Sequence, residues 1–516
     1  MSAPPEGRGT AALPEYFAKW AREQPQRIFL RTPAGRELGY GTLLEQSARF
    51  AGALRACGVA PGERVVARVE TSPEAVLLYV ACLRLGAVFV PANPGGTPAE
   101  FEHLLRDADA RLAVVAPAQR ELLLRALAQA AGTCGLETLG SKGEGSLAEL
   151  AQRSAPPALG EPPSPGSLAA LVYTSGTTGR PKGAMLTQAN LATNAAALAH
   201  AWQFSGQDQL LHALPLFHVH GLFVAINTVV VSGAGLLLLP KFDAAAVLQH
   251  LPQATVFMGV PTHYTRLLQE AGLDREVVAG MRLFVSGSAP LLPQTLERFR
   301  ERTGQTILER YGMTETLMNT SNPYAGTRIP GSVGLPLAGV GVRVTERTGG
   351  ARVSRGTIGV LEVKGPNVFA GYWRDAQKTR DAFSADGWFR TGDLGRIDAA
   401  GYVWIVGRAT DLVISGGYNV YPKEVEAELD AVPGVAESAV FGVPHADFGE
   451  GVTAAVVLKP GATLSEAQLL AHVRLRLSGH KVPKRIVFVT QLPRNTMGKV
   501  RKDALRASYA SLYAAP

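Results

Sequence analysis

Two patterns of hydrophobic positions alternate along the N-terminal part of the chain. Helical spacing marks Thr42–Ala56 and Pro73–Leu85, whereas Arg64–Val69 and Ala110–Ala116 are short apolar runs typical of buried strands. Strands that alternate with helices in this way are usually parallel neighbours joined by crossover helices. The pattern therefore predicts an α/β fold, with a large N-terminal body of stacked, mostly parallel sheets and crossover helices.

The pattern changes near residue 410. Beyond it, three segments have the pattern of strands: Val440–Val443, Val452–Leu458 and Arg485–Val489. Two have the pattern of helices: Glu424–Leu429 and Ser465–Leu477. A unit of about 100 residues is large enough to hold a core of its own. We therefore predict two domains, residues 1–410 and residues 411–516, of which the second is a small α+β lid.

One apolar stretch raises the question of a membrane span. No charged residue occurs from Gly221 up to Lys241, but Asn227, Ser232 and Gly233 interrupt the apolar run. A spanning helix needs about 20 consecutive, mostly apolar residues. We interpret the stretch as a buried helix followed by a buried strand, and we expect no membrane span.

Composition and charge narrow the classes of function. The chain has 516 residues, 46% hydrophobic and 18% charged, which is typical of a globular protein with a sizeable core. Its formal net charge of +8 is spread without a basic arm, which suits small anionic ligands and disfavours nucleic acid. Cys57, Cys82 and Cys134 have no metal-binding or paired spacing, and the N-terminus has no apolar signal segment. We therefore expect a cytoplasmic protein.

A glycine-rich loop is the first chemical signal. It runs from Thr174 to Gly183, directly after the apolar strand Leu168–Val172. Glycines expose backbone N–H groups there, while hydroxyls and a lysine add donors and charge, so the loop suits phosphate groups. The residues expected to contact phosphate are Thr174, Ser175, Gly176, Thr177, Thr178, Gly179 and Lys182. The spacing is not that of a Walker A loop, and an ordinary flexible surface loop is the alternative.

The loop closely resembles the phosphate-binding loop of the adenylate-forming superfamily. That superfamily contains acyl-CoA synthetases, peptide-synthetase adenylation domains and firefly luciferase. Four further segments resemble its motifs in the same order: Tyr311–Glu315, Thr391–Asp393, Gly407–Asp411 and Pro493–Lys499. The resemblance implies an AMP-forming acid–thiol ligase that uses ATP, Mg²⁺ and coenzyme A and passes through an acyl adenylate.

The resemblance also assigns roles to single residues. It implies that Lys499 is the catalytic lysine and that Glu315, alongside Thr177, is a magnesium ligand. The residues implied in nucleotide binding are Gly287, Ser288, Ala289, Tyr311, Thr314, Asp393 and Arg408. Asp411 corresponds to the hinge about which the small, mobile C-terminal lid swings in the superfamily. Gly417 corresponds to the glycine that admits the pantetheine arm of coenzyme A. Thr410 departs from the pattern, because many members have lysine at that position.

Details around the acid pocket are similar to malonyl-CoA synthetases in particular. The similar segments are Gly259–Arg266, Val285–Ala289 and Glu309–Pro323. A second carboxylate needs a cation in the pocket, and the resemblance implies Arg266 for this role, with Ser288 as a donor. His218 would contact the reacting carboxylate, and Met318 would limit substituents on the α-carbon. Malonate, and methylmalonate beside it, are therefore the expected acids; a surface position for Arg266 is the alternative.

Other functions share part of this pattern. A short- or medium-chain fatty-acid ligase or an aryl-acid ligase has the same ATP motifs and differs only in the pocket. A luciferase-like oxygenase also shares them, and a peptide-synthetase adenylation unit would be expected beside a carrier domain. A non-catalytic binding protein is disfavoured because Lys499, Glu315 and Asp393 are all present.

Overall fold

The chain folds into two compact units. The computed structural model describes residues 12–129, 134–156, 162–174, 181–347, 350–416, 418–495 and 498–513. The first unit comprises residues 1–341 and 363–389, and the second comprises residues 342–362 and 390–516. Asp393 and Arg408 therefore group with the C-terminal residues. This grouping by contacts differs from the predicted division at residue 410, which stays a prediction.

The larger sheet of the first unit has nine strands. From edge to edge these are Leu335–Pro336, Leu317–Ser321, Leu308–Met313, Leu283–Ser286, Val256–Gly259, Gln209–His212, Gly235–Leu238, Ile28–Arg31 and Glu37–Gly39. The inner pairs are parallel and the outer pairs antiparallel. Inner strands such as Gly235–Leu238 are buried at every position, which explains their continuous apolar sequences.

The second sheet of the first unit has six strands. In order these are Gly135–Thr138, Ala110–Val115, Arg64–Arg68, Val88–Pro91, Leu168–Thr174 and Lys182–Thr187. All neighbours are parallel except the last pair, which is antiparallel. Val66, Val90 and Leu171 lie in its core with Phe101 and Leu105 of a covering helix.

Helices cover both sheets of the first unit. Their bounds are Leu13–Glu23, Tyr40–Ala56, Pro73–Leu85, Pro98–Ala108, Arg120–Gln129, Ser146–Arg153, Gln188–Ala201, Asn227–Ser232, Ala244–His250, Pro261–Leu267, Pro293–Thr303 and Ala376–Ala382. The apolar stretch after Gly221 forms the π-helical segment His220–Ile226, a short α-helix and a strand, as expected for buried elements. Among the described residues, no helix combines the length and hydrophobicity that crossing a bilayer requires.

The second unit contains two smaller sheets. One has the strands Gly341–Thr345, Gly359–Lys364, Phe389–Ile397 and Val403–Arg408, and the other has Tyr418–Val420, Val413–Ser415, Gly449–Leu458, Val435–His445 and Arg485–Phe488. The helices are Pro422–Asp430, Glu466–Arg474 and Lys502–Ser508. Val425 and Leu429 pack on Val440 and Val452 in its core. The predicted α/β fold with a smaller α+β part is confirmed.

Candidate active site

Thr174 and Lys182 face each other where the glycine-rich loop leaves and re-enters its sheet. They are register partners at the ends of the strands Leu168–Thr174 and Lys182–Thr187. The remaining loop positions that we predicted, Ser175, Gly176, Thr177, Thr178 and Gly179, lie outside the described residues, as does Gly417. The structure therefore fixes both ends of the loop, and the roles of its interior stay predictions.

Tyr372 links this loop to the expected magnesium ligand. The Lys182 ammonium lies 5.5 Å from the centre of the Tyr372 ring, and the Tyr372 hydroxyl donates to Glu315 Oε1 at 3.1 Å. Glu315 is buried, and its backbone oxygen accepts from the Phe369 N–H at 2.8 Å. A buried carboxylate must be matched by donors or a cation, so Glu315 fits a hard cation beside phosphate. We did not anticipate Tyr372, because it lies 57 residues from Glu315 in the sequence.

The turn before Glu315 depends on a glycine. Strand Leu308–Met313 pairs antiparallel with Leu317–Ser321, with a register shift after Tyr311. A Cβ on Gly312 would lie 1.9 Å from a backbone oxygen of the facing strand, so no other residue fits. Tyr311 and Thr314, the expected nucleotide contacts, both keep part of their surface exposed.

Met318 is fixed beside this turn. It is buried, its N–H donates to Asn194 Oδ1 at 3.2 Å, and its carbonyl accepts from Asn194 Nδ2 at 2.8 Å. Its methyl carbon lies 2.5 Å from where a Cβ on Gly312 would be. The side chain that we expect to limit substrate size is therefore held at both backbone groups.

The Gly287–Ala289 segment brings three polar groups together. Ser288 has a φ of +71°, and its hydroxyl lies 3.3 Å from His220 Nδ1. A non-glycine residue in this region is strained unless its surroundings hold it. A Cβ on Gly287 would lie 2.4 Å from the guanidinium carbon of Arg310. The segment therefore places Ser288, His220 and Arg310 at one end of a buried strand.

Arg310 is a buried cation that our sequence analysis did not select. It is 3% exposed, and its Nε and Nη2 have no hydrogen-bond partner among the described residues. Burial lowers the pKa of Arg310 to about 9, against the opposite effect of Tyr264, so it stays protonated at neutral pH. An uncompensated buried charge is unfavourable. Arg310 therefore offers a charge that a bound anion would balance.

Four histidines form a cluster beside this cation. They are His212, His220 and His263, which are buried, and His218, which keeps part of its surface exposed. Burial lowers the pKa of His212 and His263 to about 3 and that of His218 to about 4. The pKa of His220 is held well below its usual range, first by burial and then by Arg310. All four are neutral at pH 7, so Arg310 dominates the electrostatics of the cluster.

Arg266 lies at the edge of the same cluster. It is exposed, in the last turn of helix Pro261–Leu267, and it acts electrostatically on His263. Its expected role in reading a second carboxylate stays a prediction. A signal for Arg310 was present in the sequence, since two charged residues, Glu309 and Arg310, follow the apolar Ile307 and Leu308 and lie inside the strand Leu308–Met313.

The second unit brings together Lys499, Asp393 and Arg408, which we predicted from separate motifs. The pKa of Lys499 is lowered by desolvation and then by Arg408, while Asp393 and Asp411 raise it. Lys499 nevertheless keeps an exposed surface, which limits the desolvation. Arg408 Nε lies 2.8 Å from Asp393 Oδ1, and Asp393 is buried. The expected catalytic ammonium and ribose-binding carboxylate are therefore electrostatic neighbours.

The expected hinge residue has a cationic partner. Asp411 ends the short helical turn Ala409–Asp411, and its Oδ1 accepts from Arg506 Nη2 at 2.8 Å. The same Arg506 nitrogen lies 3.4 Å from the carbonyl oxygen of Thr410. Arg506 thus supplies a positive charge beside Asp411, whereas Thr410, the residue next to Asp411, carries no charge. Whether the chain pivots at this turn stays a prediction.

The chain is similar in sequence and in fold to known proteins. Residues 17–373 match the model of the AMP-binding enzyme family, and residues 424–499 match the AMP-binding enzyme C-terminal domain. The mitochondrial malonate–CoA ligase ACSF3 of Mus musculus is 42% identical over 379 residues, which are 66% of this chain and 65% of that protein. The match therefore spans slightly less than two thirds of that relative.

Other matches cover nearly the whole chain. The indoleacetate–CoA ligase of Aromatoleum aromaticum is 36% identical over 96% of this chain and 97% of its own length. The crystal structure of ATP-bound MatB from Rhodopseudomonas palustris is 49% identical, covers 98% of this chain and 100% of its own, and superposes with a TM-score of 0.94. The resemblance carried by the five motifs is thus confirmed, and the chain belongs to the AMP-binding enzyme family of adenylate-forming acyl-CoA ligases.

Proposed function

We propose that this protein ligates malonate to coenzyme A in two steps. Malonate and ATP give malonyl adenylate and pyrophosphate, and coenzyme A then displaces AMP to give malonyl-CoA. Several relatives are named malonate–CoA ligases, which supports this choice of acid. Methylmalonate is the second acid we propose, with Met318 limiting anything larger on the α-carbon.

The observation that carries the proposal is the unpaired, buried Arg310. Malonate keeps a second carboxylate after the first is activated, and such a charge enters a protein interior only beside a cation. The guanidinium fork of Arg310 can donate hydrogen bonds to both carboxylate oxygens, with Ser288 as an additional donor. Arg266 would add a second cation at the edge of the cluster. A monocarboxylic acid would leave Arg310 unpaired.

The nucleotide roles follow from the residues around the phosphate loop. We propose that Thr174–Lys182 holds the phosphates and that Tyr311, Thr314 and Gly287–Ala289 hold the adenine. Glu315, together with Thr177, would bind Mg²⁺, which neutralises phosphate charge when it is bound. Tyr372 orients Glu315 for this purpose.

The remaining roles concern the reacting groups. We propose that Asp393 accepts hydrogen bonds from the ribose hydroxyls and that Arg408 orients it. Lys499 would stabilise the charge that develops between the carboxylate and the α-phosphate, and His218 would donate to the reacting carboxylate. Asp411 would be the hinge between the two half-reactions.

Compartment and coenzyme A complete the proposal. Gly417 would admit the pantetheine arm, because a residue without a side chain lets a thin chain pass closely. All three cysteines are free thiols, which supports a reducing compartment, and we propose the cytoplasm.

A panel of acids tests the proposal. Adenylate trapped with hydroxylamine, with and without coenzyme A, would be measured for malonate, methylmalonate, butyrate, benzoate and indoleacetate. We expect malonate to exceed butyrate in kcat/KM by about a hundredfold or more, because a site built for a charged group rejects an analogue that lacks it. A preference for indoleacetate or benzoate would support the aryl-acid ligase instead, the alternative favoured by the full-length similarity to an indoleacetate–CoA ligase.

A further inference from the structure

Two ion pairs fasten the segment that carries Lys499 to the core of the second unit. Arg494, before Lys499, pairs with Glu437, and Lys502, after it, has its ammonium 2.5 Å from Glu426 Oε1. We call Arg494 and Lys502 the two anchors. Because they flank Lys499 on both sides, they constrain where its backbone lies.

Hydrogen bonds brace the segment between the anchors. The Lys499 N–H donates to Asn495 Oδ1 at 3.0 Å, and the Asn495 N–H donates to the Lys499 oxygen at 2.9 Å. Arg494 Nη1 donates to the Gly498 oxygen at 2.6 Å, and Arg494 also forms an antiparallel bridge with Val500. Arg494 therefore holds the segment together and ties it to Glu437.

The anchoring carboxylates lie on regular elements. Glu426 belongs to helix Pro422–Asp430, and Glu437 belongs to strand Val435–His445. Glu426 Oε1 also accepts from the Val440 N–H of that strand at 2.8 Å. The helix and the strand share a hydrophobic core, so the carboxylates occupy defined positions.

The anchors are less exposed than ordinary surface ion pairs. The side chains of Lys502 and Glu426 are each 17% exposed, and those of Arg494 and Glu437 are 30% and 29% exposed. Exposed pairs contribute little, whereas partly buried pairs are screened less by water and salt. Lysine has a long, flexible stem, so its ammonium is placed accurately only if the backbone beneath it is fixed.

We propose that Arg494 and Lys502 are positioning residues, which hold the backbone of Lys499 for adenylate formation by pairing with Glu437 and Glu426. The proposal rests on the role that we propose for Lys499. It implies unequal effects on the two half-reactions, because only adenylate formation uses the Lys499 ammonium.

Substitutions of either partner test the proposal. In Arg494→Gln, Lys502→Gln and Glu437→Gln, we expect kcat for trapped adenylate to fall about tenfold or more, since small displacements of a catalytic group have effects of this size or larger. The KM for ATP and for the acid should stay within about twofold of wild type. Thioester formation from synthetic malonyl adenylate and coenzyme A should also stay nearly unchanged. Glu437→Gln breaks the ion pair while Arg494 keeps its bond to Gly498.

A matched control and a conservative rescue separate positioning from general destabilisation. Arg501 lies in the same segment, but it pairs locally with Asp503, and both side chains are more than half exposed. Arg501→Gln should leave both half-reactions unchanged. Arg494→Lys keeps the charge that Glu437 needs and should recover most of the adenylation rate lost in Arg494→Gln.

Amide hydrogen exchange without substrates gives a second readout. The anchor variants should exchange faster at Gly498 and Lys499, while helix Pro422–Asp430 keeps its protection. Unchanged exchange, equal loss of both half-reactions, or faster exchange with normal adenylation would each overturn the proposal. If wild-type protein forms no malonyl adenylate, the proposed function fails, and the exchange experiment still decides whether the anchors hold the segment.

Discussion

The hydroxyl of Tyr372 donates a hydrogen bond to Oε1 of Glu315 at 3.1 Å. The ring of the same tyrosine lies 5.5 Å below the ammonium of Lys182, at the end of the phosphate loop. One side chain thus connects the carboxylate proposed to bind Mg²⁺ with the lysine proposed to bind phosphate. Both interactions are local to the first unit.

Tyr372→Phe separates these two functions of the tyrosine. The ring that supports Lys182 remains, but Glu315 loses a donor. A hydrogen bond to a charged group contributes about 1.5–3 kcal/mol, so we expect the KM for ATP and the Mg²⁺ requirement to rise roughly tenfold. Steady-state kinetics over a Mg²⁺ titration would measure both. An unchanged Mg²⁺ requirement would show that Tyr372 does not orient this carboxylate.

Lys499→Ala tests the catalytic ammonium. We expect adenylate formation to fall about 10²–10³-fold, because a charge aimed at the developing negative charge is lost, while ATP affinity stays largely intact. Pyrophosphate exchange and equilibrium ATP binding would be measured on the same preparation. Normal exchange in this variant would remove Lys499 from the mechanism.

Arg310→Met has opposite effects on binding and on stability. The KM for malonate should rise about a hundredfold or more, since the second carboxylate loses its cation. Replacing an unpaired buried charge by an apolar side chain of similar size should at the same time leave the free energy of unfolding unchanged or raise it, by up to about 4 kcal/mol. Malonate kinetics and urea unfolding would check the two effects. If the variant binds malonate normally, Arg310 is not the residue that binds the second carboxylate.

Arg266→Leu is the companion variant. Because Arg266 is exposed, we expect little change in stability. A steep rise in the KM for malonate, with butyrate spared or improved, would support the role that we inferred from sequence. If only Arg310→Met raises the KM for malonate, the buried arginine alone binds the second carboxylate.

The sequence predicted those features of the structure that depend on local patterns or on contiguous motifs. Helix Pro73–Leu85 has the predicted bounds because Ser72 caps it and Pro73 starts it. Tyr372 and His220 were not predicted as site residues. Tyr372 contacts Glu315 and His220 contacts Ser288, and both contacts exist only in the folded chain. Motifs therefore located the candidate site, and tertiary contacts were needed to find the residues that orient it.

Asp411→Pro tests the hinge. Proline fixes φ near −65°, so rotation at this position would be blocked. We expect adenylate formation to be spared and thioester formation to be strongly reduced. Arg506→Gln is the control, because it removes the partner of Asp411 at 2.8 Å without restricting the backbone. Equal loss of both half-reactions in Asp411→Pro would contradict a hinge at this residue.

The buried histidines predict a dependence of stability on pH. Burial lowers the pKa of His263 to about 3, whereas an unfolded histidine titrates near 6.5. Between these values the unfolded chain binds more protons, so the free energy of unfolding falls as the pH falls through this range. Asp430 acts in the opposite direction, because burial, with Glu426 and Glu437 nearby, raises its pKa to about 7. The stability that protonated Asp430 contributes to the folded chain is therefore lost as the pH rises from about 4 to about 7.

His263→Phe isolates the histidine from the aspartate. Phenylalanine can keep the stacking on Phe242, whose ring centre lies 3.7 Å from that of His263, and Asp430 is unchanged in the variant. We expect the loss of stability between about pH 7.5 and about pH 5 to be smaller in the variant by up to about 2 kcal/mol. Urea unfolding of both proteins at the two pH values would measure this difference. An equal loss in both proteins would mean that His263 is not kept neutral by the fold.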